Sequence, residues 1–449
     1  MRARLLGLAG LVLFFSSPVI AADSSIARME QVIQSYVADK RFMGTVLVVK
    51  DGKTIRDKGY GSADLEWNIP NTPDTKFRLG SITKQFTAAS ILLLEERGKL
   101  KVTDPVRQYL PELPASWDKI TIFNLLTHSA GVFNFTSLPD SNESKRRHMT
   151  PQQIVDMVRD KPLDFAPGEK YSYSNTGYVV LGMVIEKVSG QSYSQFLQAN
   201  IFTPLGMKDT GYDDAATILP RRAHGYERAR DGALTNAAFI DMSTPFAAGA
   251  LYSTTHDLLL WEKALFGGKL LSADSFARMT TPFKDGYGFG LGIFNVGGHR
   301  QVGHNGGIDG FTTDMENYPD DRLTVIVLSN IATRASDEIA RKLADLAFGK
   351  PVILISERKE VPADGKILAR YVGHYQIAPN FALDITREGD KLYLQATNQS
   401  KVPLFAESQK DFFLKVVDAQ VSFATDGNGP APKLVMHQNG RDLTGTRTP

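Results

Sequence analysis

Ser81-Ile-Thr-Lys-Gln-Phe-Thr-Ala-Ala-Ser-Ile-Leu-Leu-Leu-Glu-Glu-Arg97, set between Gly80 and Gly98, decides the reading of this 449-residue chain. Ile82, Phe86, Ala89 and Leu93 recur three or four residues apart, which predicts a buried helix. Serine is favoured at a helix start, and glycine just past the last turn is a common stop. Positions three apart share a helix face, so the Lys84 amine is expected beside the Ser81 hydroxyl. A serine hydroxyl is a poor nucleophile until a neighbouring base takes its proton. A lysine serves as that base only where burial or nearby positive charge lowers its pKa from about 10.4. An apolar helix entering a core supplies the burial.

The same Ser-x-x-Lys spacing recurs at Ser116–Lys119 and Ser356–Lys359. The first lies in a proline-punctuated loop and the second in a charged segment, so neither offers a preorganised pair. Two further groups accompany Ser81. Tyr173 and Asn175 sit in a turn-rich stretch ahead of the apolar run Val179-Val-Leu-Gly-Met-Val-Ile185. A loop entering a helix is a common perch for functional side chains. There a phenol can relay a proton and an amide can hold a carbonyl. His304 lies among Gly303, Gly306, Gly307 and Gly310, glycines that predict strands closely approached by other backbone. Taken singly, these are a helix cap, a packed aromatic beside a capping asparagine, and an ordinary strand histidine.

Together, Ser81-x-x-Lys84, Tyr173-x-Asn175 and His304-x-Gly306 resemble the serine β-lactamase and penicillin-binding-protein superfamily, in its class C β-lactamase-like branch. That branch includes D,D-carboxypeptidases, D-aminopeptidases and esterases. Further stretches carry the resemblance over roughly residues 25–350: Ile120-Thr-Ile-Phe-Asn-Leu-Leu-Thr-His-Ser-Ala-Gly131, Pro204-Leu-Gly-Met207 and Leu251-Tyr-Ser-Thr-Thr-His-Asp257. The resemblance implies that Ser81 is acylated, that Lys84 is its base or proton relay, and that Tyr173 passes protons to the leaving group and activates the deacylating water. It further implies that Asn175 binds a substrate carbonyl. His304 and Gly306 would line the substrate site, and the backbone N–H groups of Ser81 and Gly307 would form the oxyanion hole. One departure stands out. β-Lactamases carry lysine where His304 stands, and the His-x-Gly form is closer to the peptidase and esterase members. An exported serine hydrolase acting on an amide, a D-amino-acid peptide or an ester is therefore expected. Efficient β-lactamase action is one alternative; a penicillin-binding sensor or binding module that is acylated without turnover is the other.

The fold implied is the α/β (α+β) arrangement of that superfamily: an antiparallel sheet flanked by helices, plus an all-helical lobe. Thr45 to Ile55 reads as a hairpin around Asp51-Gly52. Tyr287 to Ile293 and Thr324 to Ser329 read as strands, and Ala335 to Phe348 as a helix. Thr150-Pro151 reads as a cap followed by a first-turn proline. Strands near both ends of the first 350 residues must then meet in one sheet. The domains expected are 1–21, a signal peptide; 22–350, the hydrolase; 351–365, a linker; and 366–449, a small β-barrel. Short strands are read at 371–375, 381–385, 391–394, 411–416, 420–423 and 433–436, and regular short strands of this kind point to a barrel. It resembles the lipocalin-like tails attached to some family members.

Arg2, Arg4 and the apolar run Leu5–Phe15 read as a secretory signal, so a periplasmic or secreted protein is expected, without stable membrane insertion after cleavage. Removing 1–21 leaves 49 basic residues facing 49 acidic ones, a balance that argues against nucleic acid as partner. The chain has no cysteine, hence no disulfide. No His-Glu-x-x-His occurs and the eight histidines are scattered, so neither metal nor cofactor is expected. The glycines at 286, 288, 290 and 292 precede no helix, which removes a dinucleotide fingerprint. His128 reads as structural. The expected partner is a small-molecule or peptide substrate, and the sequence leaves oligomeric state open.

Overall fold

The structure, a computed structural model, describes residues 18–229, 231–424, 429–438 and 441–448. The signal-peptide reading lies, for residues 1–17, outside the described residues. Helix α1 (Pro18–Ala38) leads into β1 (Gly44–Lys50) and β2 (Lys53–Tyr60). Asp51 and Gly52 join these two strands with φ of +52° and +75°, the conformation of a type I′ hairpin turn. The helical lobe follows, with α2 (Thr83–Glu96), α3 (Ile122–Leu126), α4 (Pro151–Asp156) and α5 (Asn175–Ser189). Thr150 caps α4 in a reciprocal pair with Gln153, as the Thr-Pro sequence predicts.

The chain then returns through β3 (Gly292–Val296), β4 (His299–Ile308), β5 (Phe311–Tyr318) and β6 (Leu323–Ser329), and ends the domain with α6 (Ala335–Ala347). The strands form one antiparallel sheet in the order β3-β4-β5-β6-β1-β2, so the two ends of the domain do meet. Both faces of its centre are covered. Val46, Val48, Val325 and Val327 pack beneath α1 and α6 against Met29, Ile33, Ile339 and Leu343. Leu47, Val49, Ile326 and Leu328 join the larger core shared with Phe86 and Leu92 of α2. Burial on both sides explains why β1 and β6 read as unbroken apolar runs rather than alternating ones.

The predicted strand at 287–293 is corrected: only Gly292 and Ile293 of that stretch belong to a strand. Gly286 and Gly290 take positive φ and turn the chain back on itself, with Ile293 N–H donating to the Gly286 carbonyl. A side chain on Gly290 would sit 2.5 Å from the Lys84 carbonyl oxygen, so the glycine lets this turn press against α2. The period-two glycines imitate a strand, whereas their job is close approach.

Beyond the sheet, α7 (Gly365–Tyr371) precedes a closed eight-stranded barrel. Its strands are β7 (Gly373–Ala378), β8 (Phe381–Glu388), β9 (Lys391–Ala396), β10 (Val402–Ala406), β11 (Asp411–Phe413), β12 (Ala419–Ala424), β13 (Lys433–Gln438) and β14 (Arg441–Thr448). Tyr371, expected in a strand, ends α7 instead. Asp364 caps that helix, and Leu368 and Tyr371, three apart, turn together into the barrel core, where Tyr371 stacks on Phe423 at 4.1 Å. The strand expected at 411–416 stops at Phe413, because Leu414 N–H turns back to the Ala419 carbonyl. Strands β10 and β14 escaped the sequence reading; the first holds Pro403 and the second is polar.

The linker is divided rather than free. Arg28 of α1 holds Glu357 and the Val352 carbonyl, and Leu354 joins the core beneath the sheet. From Arg358 onward the contacts go to the barrel: Arg358 pairs with Glu407 at 2.6 Å and Val361 N–H donates to Ala406. A chain of residues 23–357 is therefore expected to melt cooperatively and to keep a labelled Ser81 when treated with a fluorophosphonate probe. Failure to fold would show that the barrel completes the catalytic core; a folded, unlabelled product would show that it supplies part of the chemistry.

Candidate active site

Leu79 enters a single 3-10 turn, Gly80–Ile82, that runs directly into α2. Ser81 caps nothing with its side chain. Its hydroxyl accepts from the Tyr173 phenol at 2.8 Å and lies 3.0 Å from Lys84 Nζ. Residues Thr83 to Leu94 of α2 are buried throughout, and Lys84 is fully enclosed. Lys84 Nζ also donates to Asn175 Oδ1 and to the Ala248 carbonyl, each at 2.8 Å.

No carboxylate pairs with Lys84 among the described residues, and burial holds its amine well below the ordinary lysine range. A neutral amine carries two N–H donors and one lone pair. Asn175 Oδ1 and the Ala248 carbonyl can only accept, so the lone pair is left facing Ser81 Oγ. That is the arrangement of a base and its nucleophile. Burial also holds the Tyr173 phenol well above its usual range, so at rest it is a proton donor rather than a phenolate.

Asn175 is the first residue of α5, held by its own N–H bond to Asn134 Oδ1, while Nδ2 lies 3.4 Å from Thr136 Oγ1. Strand β4 brings His304, Gly306 and Gly307 to the same place. Strand β3 pairs only with residues 299–303, so from His304 onward β4 has β5 on one side and an open edge on the other. A Cβ on Gly306 would overlap the Leu79 carbonyl oxygen; only glycine lets β4 lie against the nucleophile turn. Ser81, Tyr173, His304, Asn305, Gly307 and Arg334 line one cavity of about 340 Å³.

The His304 ring is already engaged. Nδ1–H donates to the Asn305 carbonyl at 2.5 Å, and Nε2 accepts from the Tyr287 hydroxyl at 3.0 Å. Burial pushes the ring pKa down to about 4. His304 is thus a neutral wall of the site at physiological pH. Ser116 and Ser356 are exposed and have no part in this cluster. Sequence reasoning missed the Ala248 carbonyl and the Tyr287 hydroxyl. The first is main chain and leaves no residue signature; the second was hidden by reading its segment as a strand. A larger cavity of about 1110 Å³ begins at Tyr171, Tyr173 and His304 and is lined further out by Asp418, Gln420 and His437 of the barrel.

Residues 29–350 match the beta-lactamase family model, almost the whole of the sheet-and-lobe domain that holds this cluster. The chain belongs to the beta-lactamase family. Residues 357–447 match a second model, a domain of unknown function, which corresponds to the barrel. This beta-lactamase family member is 32% identical over 434 residues to a penicillin-binding protein of Bacillus subtilis (strain 168), covering 91% of this chain and 95% of the relative. Among solved structures it is similar to the octameric penicillin-binding protein homologue from Pyrococcus abyssi, at TM-score 0.67 and 27% identity over 94% of this chain and all of that one. The D-amino acid amidase from Ochrobactrum anthropi SV3 superposes at TM-score 0.64 with 27% identity, over 73% of this chain and 99% of that one. The fold is that of β-lactamases and transpeptidases, and members of the family are generally serine hydrolases.

Proposed function

We propose that this chain is an exported serine hydrolase that is acylated on Ser81 and hydrolyses an amide, a D-amino-acid-type peptide or an ester. The observation that carries this reading is the Ser81 hydroxyl held between a buried lysine amine, unpaired with any carboxylate among the described residues, and a protonated phenol. Lys84 takes the hydroxyl proton as Ser81 Oγ attacks the carbonyl. The oxyanion then faces the backbone N–H groups of Ser81 and Gly307. Tyr173 gives its proton to the leaving nitrogen or oxygen and is reprotonated from Lys84, the two groups flanking Ser81 Oγ at 2.8 and 3.0 Å. Water deacylates Ser81 by the same relay in reverse. Asn175 Nδ2 is the donor for a substrate carbonyl. Relatives named as penicillin-binding proteins and a D-amino acid amidase support the substrate class.

Intact-mass spectrometry during turnover tests the reading. A hydrolase returns to its starting mass, whereas a chain that accumulates acyl-protein on every substrate is a sensor or binding module. The substrate panel is p-nitrophenyl esters, D-amino-acid p-nitroanilides, D-alanyl-D-alanine peptides and nitrocefin. The mass of the mature chain in the exported fraction tests removal of residues 1–21.

The neutral His304 carries its own prediction. A lysine at this position offers a fixed cation to a β-lactam carboxylate, and a neutral imidazole with both nitrogens engaged does not. Nitrocefin turnover is expected to fall far below that of a D-amino-acid amide or ester. His304→Lys is expected to shift preference toward carboxylate-bearing substrates. A wild-type kcat/KM on nitrocefin near ~10⁷–10⁸ M⁻¹s⁻¹ would refute this.

A further inference from the structure

His128 stands outside the three motifs and touches none of the reacting atoms, yet its placement is unusual. It takes φ of +52°, in the left-handed region that costs a side-chain-bearing residue energy. The ring is buried, with 2% of the residue exposed. Its main-chain carbonyl accepts the Ser172 N–H at 2.9 Å, and its Nδ1 accepts the Ser174 N–H at 3.2 Å. These two bonds bracket Tyr173. The ring itself lies against the Tyr173 ring at 4.2 Å, with Tyr287 at 4.7 Å and Tyr178 at 5.0 Å.

Because Nδ1 accepts, the ring proton sits on Nε2, which is buried and has no hydrogen-bond partner among the described residues. Burial holds the ring well below the ordinary histidine range, so Nδ1 stays an acceptor. A strained backbone and an unsatisfied donor are both costs, and such costs persist where the surroundings impose them for a purpose.

We propose that His128 is the positioning residue of Tyr173: its carbonyl and its Nδ1 clamp the N–H groups on either side of the phenol and so aim the hydroxyl at Ser81 and the leaving group. This rests on Tyr173 being the leaving-group acid of the proposed function. The left-handed turn lets one residue present both acceptors to the same loop. An amide or alkyl ester needs the leaving-group proton, whereas p-nitrophenolate departs without one. Damage to the clamp therefore falls unequally on acylation by the two kinds of substrate, while the deacylation that follows is common to both.

The test compares His128→Asn, His128→Gln and His128→Phe on a p-nitrophenyl ester and on the amide of the same acyl group, with active sites counted by fluorophosphonate titration. Asparagine tolerates positive φ and places Oδ1 where Nδ1 stood; glutamine cannot, and phenylalanine keeps only the packing. His128→Phe and His128→Gln are expected to lower kcat on the amide by ~10²-fold, the lower end of what a positioned acid supplies. Their acylation by the ester, read from the p-nitrophenol burst so that the deacylation common to both substrates does not enter, should fall much less. His128→Asn should recover most of the amide turnover. Equal losses of acylation by ester and amide, or an asparagine variant no better than glutamine, would overturn the proposal; the Asn–Gln contrast stands even if the phenylalanine variant does not fold. Failure of wild-type Ser81 to label would instead overturn the acyl-enzyme reading beneath it.

Discussion

Ser81→Ala is expected to abolish covalent labelling by a fluorophosphonate and to lower turnover by about 10⁴-fold or more, because Ser81 is the hydroxyl in the cluster held against both Lys84 and Tyr173. The peptide carrying Ser81 should gain the mass of the probe in the wild type. Neither Ser116 nor Ser356 should take it: both are exposed, outside the cavity, and their lysines are not held against them by a helix. Label found on either, or label surviving Ser81→Ala, would refute the assignment. The fold should be unharmed, since the Ser81 hydroxyl caps no helix and its loss leaves Tyr173 and Lys84 with a cavity and water.

Lys84→Met is expected to slow acylation by ~10²–10⁴-fold while raising thermal stability at neutral pH. The two effects have one cause. Lys84 is enclosed with no carboxylate partner among the described residues, so its folded pKa lies well below the unfolded value of 10.5. Between those two values the unfolded chain binds a proton that the folded chain does not, and stability rises with pH. At neutral pH, the wild type bears the cost of stripping or burying that proton, and Lys84→Met removes it. The gain in Tm should therefore be larger at pH 6 than at pH 9; a gain independent of pH would show that Lys84 is not depressed. Acylation by the wild type should in turn fail as pH drops through the folded pKa, because a protonated amine has no lone pair for the Ser81 proton. Lys84→Arg should lose acylation as severely without the stabilisation, since guanidinium does not give up its charge.

Much of this was legible in one dimension because the physics is local. The α2 stretch buries itself with a three-to-four repeat, and that repeat alone puts Lys84 one turn from Ser81. The hairpin at Asp51-Gly52 is written in a dipeptide that accepts two positive φ angles. The central strands announce themselves as apolar runs because both sheet faces are covered. The failures have a common origin as well. The glycines of 286–292 look like an alternating strand, but they exist so that a turn can touch the Lys84 carbonyl, a contact spanning some two hundred residues of sequence. Tyr371 reads as a strand residue because its aromatic ring favours strands, while a cap at Asp364 and the barrel core make it the end of a helix.

By itself the sequence determined which side chains to take as candidates, the pairing of Ser81 with Lys84 and the order of the elements that carry them, all of which rest on neighbours a few residues apart. Only the tertiary structure decided what those groups are chemically. Lys84 is held as a buried amine because α5 supplies Asn175 and a distant loop supplies the Ala248 carbonyl, with no carboxylate beside them among the described residues. Tyr173 reaches Ser81 across 92 residues, and His304 is neutral because the packing around its ring disfavours the charged form. Protonation state is set by desolvation and by partners from every side, and those are properties of the packed chain rather than of any stretch of it.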